Sequence, residues 1–359
     1  MKNRYRILVM VSLVSLLSVS AAFAGNDDRR GTAGANELLI NPWARSSGWG
    51  GVNTANGIGI DALFTNVAGL TFLNKTEVMY TNTQWFGGYG GTINAFGLGQ
   101  PVGQRGVLGL SVVSMSFGDI PITTVGSPEQ GANGTFSPTL MNINASYAHK
   151  FSSSIRGGIN VKVITESTDN VSGTGVAIDA GIQYVTGADD NIKFGIALKN
   201  VGTPMSLGGD GMSLTLVNDQ NVTSTYVTRS ASFEMPTCLN IGGAYDFLFD
   251  TYDQRLTVAA SFTSNAFLRD DYKLGLEYSI FNIVQLRAGY TFQSGLWSSD
   301  DRVTAFTGPS AGASVAIPLM KKKREGNTNT SVPTLKIDYS YRAANPFSGS
   351  HSIGVAINL

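Results

Sequence analysis

The sequence predicts an all-β protein, a transmembrane antiparallel β-barrel of about fourteen strands with an N-terminal lumen plug. Three observations lead to this fold class: an export signal, recurrent segments of alternating apolar and polar residues, and no apolar run after the signal that is long enough for a membrane helix. Because every backbone amide must find a partner inside the hydrocarbon, a membrane chain without spanning helices has to close into a barrel.

The alternation has a period of two and is clear in residues 139–148. Met141, Ile143 and Tyr147 fall on one side, and Asn142 and Asn144 fall on the other. Since a strand points successive side chains to opposite faces, such a segment has one apolar and one polar face. Strand candidates lie at 77–85, 89–99, 105–117, 138–149, 154–165, 174–186, 190–200, 237–247, 254–263, 271–280, 283–293, 308–319, 334–342 and 350–359.

The first 24 residues match a secretory signal peptide. Three basic residues precede an apolar stretch at 7–19, and Ala22-Phe23-Ala24 forms a small-x-small cleavage site. We expect cleavage after Ala24. Export combined with a barrel predicts the cell outer membrane as the location, with membrane lipid around the apolar faces.

The mature chain divides by composition into three parts. Residues 25–34 are polar and Gly-rich, which predicts a flexible tail. Residues 35–75 are too apolar for a linker and too irregular for a strand, so we expect them to fold into the lumen as a plug. Residues 76–359 then form the barrel.

Connection lengths support a membrane barrel over a soluble β-sandwich. With fourteen strands, the long connections 118–137, 200–236 and 294–307 fall on one side and the short ones, such as 281–282, on the other. Outer-membrane barrels keep short turns in the periplasm and long loops outside. The exception is 320–333, a moderately long inner connection that carries the basic run 321–324.

Composition and motifs argue against several function classes. The formal net charge is zero and charged residues are 14% of the chain, which gives no footprint for nucleic acid. Metal-ligand spacings, phosphate loops and nucleophile elbows are missing from the sequence. The two histidines, His149 and His351, fall near opposite rims. We therefore expect neither an enzyme nor a cofactor.

The inward faces of the predicted strands carry charges. They could mark a path for a polar substrate, or form ion pairs that hold barrel and plug together, because an unpaired buried charge is costly. The predicted lumen charge network consists of Arg156, Lys162, Asp179, Lys193, Lys199, Glu277, Arg287 and Asp338.

The connection 200–236 carries apolar side chains among glycines. Either it folds over the barrel mouth and buries them, or it presents an adaptable surface to a protein partner. The candidate partner-binding residues are Met205, Leu207, Met212, Leu214 and Leu216.

Several segments resemble those of PorV/PorQ-type outer-membrane proteins, relatives of the FadL fatty-acid channels. Residues 44–51 resemble their A-R-x-x-G-M-G-G motif, 62–70 their N-P-A-G-L plug motif, and 199–205 their K-N-x-G-x-P-M strand end. Trp49 and Val67 depart from the Met and Pro of these motifs. The residues that carry the plug resemblance are Arg45, Gly48, Trp49, Gly50, Gly51, Asn66 and Gly69.

The resemblance implies a fourteen-stranded FadL-like barrel with a place in type IX secretion. Our first hypothesis is that the barrel binds or shuttles secreted cargo proteins at the cell surface, together with other secretion-system proteins. The second is a FadL-like channel that takes up a hydrophobic ligand. A third is a purely structural barrel subunit. A channel needs an apolar pocket beside the plug, whereas a cargo carrier needs an exposed apolar rim and can have a filled lumen.

Overall fold

The computed structural model describes residues 29–128, 134–217, 219–249, 253–298, 300–319 and 333–359. The predicted signal peptide and the basic run 321–324 lie outside these residues. Across the described part of the chain, none of the helices has the length and apolar character needed to cross a membrane.

Fourteen antiparallel strands form a closed barrel, as the sequence predicts, and the last strand pairs with the first. Each remaining strand pairs with its neighbours along the chain. We number the barrel strands in chain order: β1 (Glu77–Gln84), β2 (Thr92–Val102), β3 (Gly106–Ser116), β4 (Thr139–Lys150), β5 (Ile155–Thr168), β6 (Val171–Thr186), β7 (Ile192–Gly202), β8 (Cys238–Phe249), β9 (Gln254–Asn265), β10 (Asp271–Ile280), β11 (Val284–Gln293), β12 (Phe306–Pro318), β13 (Thr334–Ala344) and β14 (Ser350–Asn358).

The strands carry apolar side chains outside and polar side chains inside. Along β6, Ile178 and Ile182 are more than half exposed, whereas Asp179 and Gln183 are buried. Exposed apolar side chains in this number are stable only where hydrocarbon covers them. The barrel therefore belongs in the outer membrane, and its polar interior is shielded by the wall.

Most connections sort by length between the two ends of the barrel. Those after β3, β7 and β11 are long, and those after β2, β4 and β10 are short. The exceptions are the two-residue turn between β5 and β6 at the outer end and the connection 319–333 between β12 and β13 at the inner end. We assign the long connections to the outside and the short turns to the periplasm. Two outer connections contain small sheets of their own, namely Ile120–Pro121 with Thr135–Phe136, and Ser213–Val217 with Thr223–Val227.

The residues before β1 fold into five short helices that pack against the inward faces of the strands. Trp43, Trp49, Ile60 and Leu70 from this stretch are buried. We call residues 36–73 the N-terminal segment; the predicted boundaries at 34/35 and 75/76 stay predictions. Its helices are the 3₁₀ turns Asn36–Leu39, Gly59–Asp61 and Val67–Phe72 and the single α-turns Ala44–Ser47 and Ala62–Thr65.

Inward-facing glycines allow the N-terminal segment to approach the wall closely. A Cβ atom on Gly195 would lie 2.3 Å from the carbonyl oxygen of Thr54, and one on Gly289 would lie 2.4 Å from the carbonyl carbon of Trp49. Side chains at these positions would therefore displace the segment.

Candidate functional site

The candidate site is a cavity of about 250 Å³ at the outer end of the barrel. The N-terminal segment forms its floor through Leu39, Ile40 and Phe64. The outer ends of β7 to β13 form its walls, and residues of the outer connections lie above it. The cavity is thus placed where a molecule from outside would meet the N-terminal segment.

One side of the cavity is apolar and largely aromatic. Trp85 and Phe306 contact each other edge to face, with ring centres 5.3 Å apart. Phe86 also packs in this cluster, and its ring centre lies 5.4 Å from that of Phe306. Of these three rings, Trp85 and Phe306 line the cavity, and so do Ile40 and Phe64. These four side chains favour contact with hydrocarbon over contact with water.

Lys199 on β7 brings a positive charge to the same cavity. The residue is only 4% exposed, and its ammonium lies 3.6 Å from the centre of the Phe64 ring. Among the described residues, no carboxylate lies within 4 Å of this ammonium; the nearby Asp179 pairs with Lys162 at 2.7 Å instead. The ring face offsets part of the cost of burying the charge, but it does not neutralise it.

Other polar groups surround the cavity and leave it net positive. Lys273 lies 3.7 Å from Asp271, and the guanidinium of Arg342 stacks 3.8 Å from the Phe306 ring centre. Two further groups that line it, Asn240 Oδ1 and Thr291 Oγ1, are buried with no hydrogen-bond partner in the described structure. The lining thus contains one carboxylate, that of Asp271, and three cationic side chains, namely Lys199, Lys273 and Arg342. Asn240 and Thr291 remain available for hydrogen bonds to a ligand.

Six of the eight predicted lumen charges form ion pairs. Glu277 accepts from Arg287 at 2.7 Å and from Arg255 at 2.9 Å, and it lies 3.6 Å from Arg45 of the N-terminal segment. Asp338 lies 3.9 Å from Arg287. This cluster links the four strands β9, β10, β11 and β13 to the segment. The other pairs are Lys162 with Asp179 and Lys193 with Asp246, at 2.7 and 2.6 Å.

The remaining two predicted charges lie over aromatic rings of the N-terminal segment. Arg156 stacks on Phe72 at 4.1 Å, as Lys199 does on Phe64. Two nitrogens of Arg156 are buried without a hydrogen-bond partner among the described residues. The alternation of side chains along the strands predicts that both residues point inward. The fold adds that they contact aromatic rings rather than carboxylates.

Asn66 fixes the N-terminal segment to the wall. Its amide nitrogen donates to the carbonyls of Thr54 (2.9 Å) and Ile182 (3.0 Å), while its side-chain oxygen accepts from the Ala68 N–H (3.2 Å). The last bond caps the 3₁₀ turn that begins at Val67, the position where the family motif has proline. Val67 thus starts a helical turn without that proline.

Near Arg45, Gly50, Gly51 and Asp61 stabilise the fold of the N-terminal segment. Gly50 and Gly51 have positive φ values of 72° and 69°, a backbone conformation that is unfavourable for residues with a Cβ atom. Asp61 accepts from the Ser46 N–H at 3.1 Å and from Asn53 at 2.9 Å. Burial raises the pKa of the Asp61 carboxyl to about 6, and the neighbouring Arg45 limits this rise.

Two other predicted motif residues allow close packing. Gly48 lies against the backbone of Gly312, because a Cβ atom at Gly48 would be 2.9 Å from its Cα. A Cβ atom on Gly69 would be 2.2 Å from the carbonyl oxygen of Gly57. Trp49, which replaces the motif methionine, is 1% exposed and fills space next to β11.

The candidate partner-binding residues divide into a buried and an exposed group. Met205 is 1% exposed and packs with Met235 and Ile164, so it is not available to a partner. Leu207 and Met212 are half-buried, whereas Leu214 and Leu216 on the Ser213–Val217 strand are more than half exposed. The connection therefore buries its beginning and presents a hairpin, which the sequence did not predict.

Sequence reasoning missed the aromatic side of the cavity. Trp85, Phe306 and Arg342 are far apart in the chain, and each falls near the end of a predicted strand. Barrel closure brings their strands together. A pattern that would join them is absent from the sequence because register and closure, not local periodicity, decide which strand ends become neighbours.

Comparisons with known proteins identify the fold. No family model matches the chain. No curated protein matches it either. The toluene transporter TodX of Pseudomonas putida aligns with a TM-score of 0.53 at 11% identity, over 89% of this chain and 97% of that one. The monoaromatic hydrocarbon channel CymD aligns with a TM-score of 0.51 at 14% identity, over 89% of this chain and 97% of that one. At such identities the likeness shows a shared fold, which agrees with the predicted FadL-like barrel.

Proposed function

We propose that this protein is an outer-membrane channel that takes up a small, mainly apolar compound carrying an acidic group, and that the outer cavity is its first binding site. The ammonium of Lys199, which stacks on Phe64 and has no carboxylate within 4 Å among the described residues, carries this proposal, together with the apolar side chains that line the same cavity. The fold shared with TodX and CymD, which are described as a toluene transporter and a hydrocarbon channel, supports the channel hypothesis better than cargo binding.

A bound acid would compensate the buried charge of Lys199. A buried ammonium without a counter-ion costs the protein several kcal/mol, at a rough estimate. A carboxylate that enters the cavity would recover part of that cost, while its apolar part displaces water from Phe64, Trp85 and Phe306. A neutral hydrocarbon would gain only the second term.

Paired probes test this proposal. We expect octanoate to bind the purified protein more tightly than 1-octanol in titration calorimetry, and Lys199→Gln to weaken octanoate binding by roughly tenfold while leaving 1-octanol almost unchanged, since a charge-assisted hydrogen bond contributes about 1.5–3 kcal/mol. Lys150→Gln is the matched control, because Lys150 is only half-buried at the short-turn end of β4 and does not line the cavity. Equal affinity for both probes, or unchanged octanoate binding in Lys199→Gln, would contradict the proposal.

A second candidate function is cargo binding in type IX secretion, which the motif resemblance implies. The exposed hairpin 213–227 favours it. Leu214 and Tyr226 are more than half exposed on one face, and Val227 is 70% exposed on the other. Exposed apolar groups beyond the barrel are typical of a protein-binding surface. Both functions are compatible with one barrel, because the hairpin and the cavity have no residue in common.

A further inference from the structure

The hairpin 213–227 is a two-stranded sheet that extends beyond the barrel at its outer end. Its strands, Ser213–Val217 and Thr223–Val227, pair only with each other among the residues that the structure describes. In the second strand, every residue except Ser224 is exposed. The long edges of this hairpin therefore face the surroundings rather than another strand of the same chain.

The pairing pattern determines which backbone groups point away from the hairpin. The N–H of Thr228 donates to the carbonyl of Met212 at 2.9 Å, so these two residues form a hydrogen-bonded pair. Hydrogen-bonded and non-hydrogen-bonded pairs alternate along an antiparallel ladder. Residues 213 and 227, 215 and 225, and 217 and 223 are therefore non-hydrogen-bonded pairs. Their N–H and C=O groups point outward, so each edge presents backbone donors and acceptors to the surroundings.

The edges of the hairpin lack the features that usually prevent strand addition. The two strands have the sequences Ser-Leu-Thr-Leu-Val and Thr-Ser-Thr-Tyr-Val, which contain neither a charged residue nor a proline. Their register is continuous, without a bulge that would twist an edge away. Natural sheets protect exposed edges by such features, because unpaired backbone groups otherwise pair with another chain. The hairpin is therefore open to an additional strand.

The edge of Thr223–Val227 is the more accessible of the two. The other edge begins at Ser213, which is half-buried. Just before it, the N–H of Gly211 donates to the carbonyl of Asn170 at 3.1 Å, in the turn between β5 and β6. The barrel therefore restricts access to the start of that edge. On the second edge, all three residues whose backbone groups point outward are exposed.

The side chains beside this edge determine the chemistry of an added strand. Tyr226 and Leu214, which lie opposite each other, give one face of the hairpin an apolar surface, and Val227 gives the other face one. An added strand would place alternate side chains next to these two surfaces. Since the hairpin strands offer no charge to pair with, apolar and hydroxyl side chains match both faces.

We propose that the edge of Thr223–Val227 binds an extended, uncharged β-strand of a secreted protein by backbone pairing. The hairpin belongs to an outer connection, so the partner reaches it from the cell exterior. Backbone hydrogen bonds supply the affinity, and the alternating side chains supply the specificity. This inference rests on the second candidate function, cargo binding, and is independent of the proposed channel.

Proline substitutions on opposite edges test this proposal. Thr225 and Thr215 form a non-hydrogen-bonded pair, so proline at either position removes an outward N–H and spares the cross-strand bonds of the hairpin. We expect Thr225→Pro to lower roughly tenfold the amount of secreted protein that co-purifies with the full-length barrel from outer membranes. Thr215→Pro is the matched control and should retain the wild-type amount. Quantitative mass spectrometry measures both amounts.

Hydrogen exchange of the wild-type complex decides the matter if both prolines unfold the hairpin and cause an equal loss. The backbone amides of Thr223, Thr225 and Val227 should exchange roughly tenfold more slowly in the complex than in the free protein, because the added strand accepts their hydrogen bonds. The amides of Thr215 and Val217 on the opposite edge should exchange at the same rate in both states.

The same measurements separate failure of strand addition from failure of cargo binding. If the wild-type barrel retains no secreted protein, or only a second copy of this chain, cargo binding fails and this proposal fails with it. If the wild-type barrel retains a secreted protein, wild-type retention in Thr225→Pro or unprotected amides at Thr223, Thr225 and Val227 would overturn strand addition alone.

Discussion

At the scale of residues, the lumen is organised by pairing of buried charges. Glu277 forms ion pairs with Arg255 and Arg287 and, at a longer distance, with Arg45. Removing one member of such a cluster leaves another charge buried without compensation, which typically costs about 3–5 kcal/mol. The inward charges allow two interpretations, namely ion pairs or a path for a polar substrate. The six predicted charges that have ion-pair partners favour the first interpretation, whereas Lys199 favours contact with a substrate.

Strand parity predicts from the sequence alone that these charges point inward. It does not predict their partners. Lys162 pairs with Asp179 on the next strand, whereas Arg156 meets Phe72 of the N-terminal segment. Such contacts depend on register and on how an irregular segment enters the lumen, and neither has a local signal in the sequence.

A single methyl group on Gly195 should displace the N-terminal segment. We expect Gly195→Ala to lower the free energy of unfolding by about 1–3 kcal/mol, as overpacking does, because the new Cβ would lie 2.3 Å from the Thr54 carbonyl oxygen. The shift of the thermal midpoint in detergent measures this change.

The neighbouring Gly243 provides the matched control. It faces outward, and the nearest atom to a Cβ there lies 3.8 Å away. Gly243→Ala should therefore change the stability by less than about 0.5 kcal/mol. Equal effects of the two substitutions would mean that Thr54 does not pack against the wall.

At the scale of elements, all fourteen barrel strands could be predicted, because apolar and polar side chains alternate along most of them; the first three alternate poorly in the sequence. The predicted and observed bounds differ mostly by a few residues at strand ends. Prediction failed where structure is not periodic. The five short helical turns of the N-terminal segment depend on contacts with glycines of the wall, and the hairpin 213–227 lies in a stretch predicted as a loop.

The hairpin provides the test of the cargo hypothesis. If it binds secreted proteins, Leu214→Ser combined with Leu216→Ser should abolish their co-purification from outer membranes while the barrel still assembles, because both side chains are exposed and contribute little to the fold. Mass spectrometry of the co-purified proteins measures this. Thr215→Ser together with Thr225→Ser is the matched control in the same hairpin. Unchanged co-purification in the leucine variant would argue against the hypothesis.

At the scale of the whole molecule, a closed wall surrounds a lumen that the N-terminal segment occupies. Trp43, Trp49 and Ile60 of this segment are each at most 1% exposed. The cavity lies above the segment at the outer end. We propose that the segment acts as a plug, so that a compound that reaches the cavity meets a filled lumen rather than the open pore of a water-filled porin.

Electrical conductance of the intact mature protein in planar bilayers tests this filled-lumen architecture most directly. An open fourteen-stranded barrel would pass ions steadily, whereas a lumen packed with the N-terminal segment should block them. We predict insertion without a steady open-pore current, with insertion verified by protection of the barrel from added protease. A stable, ohmic conductance from the inserted wild-type protein would contradict the account.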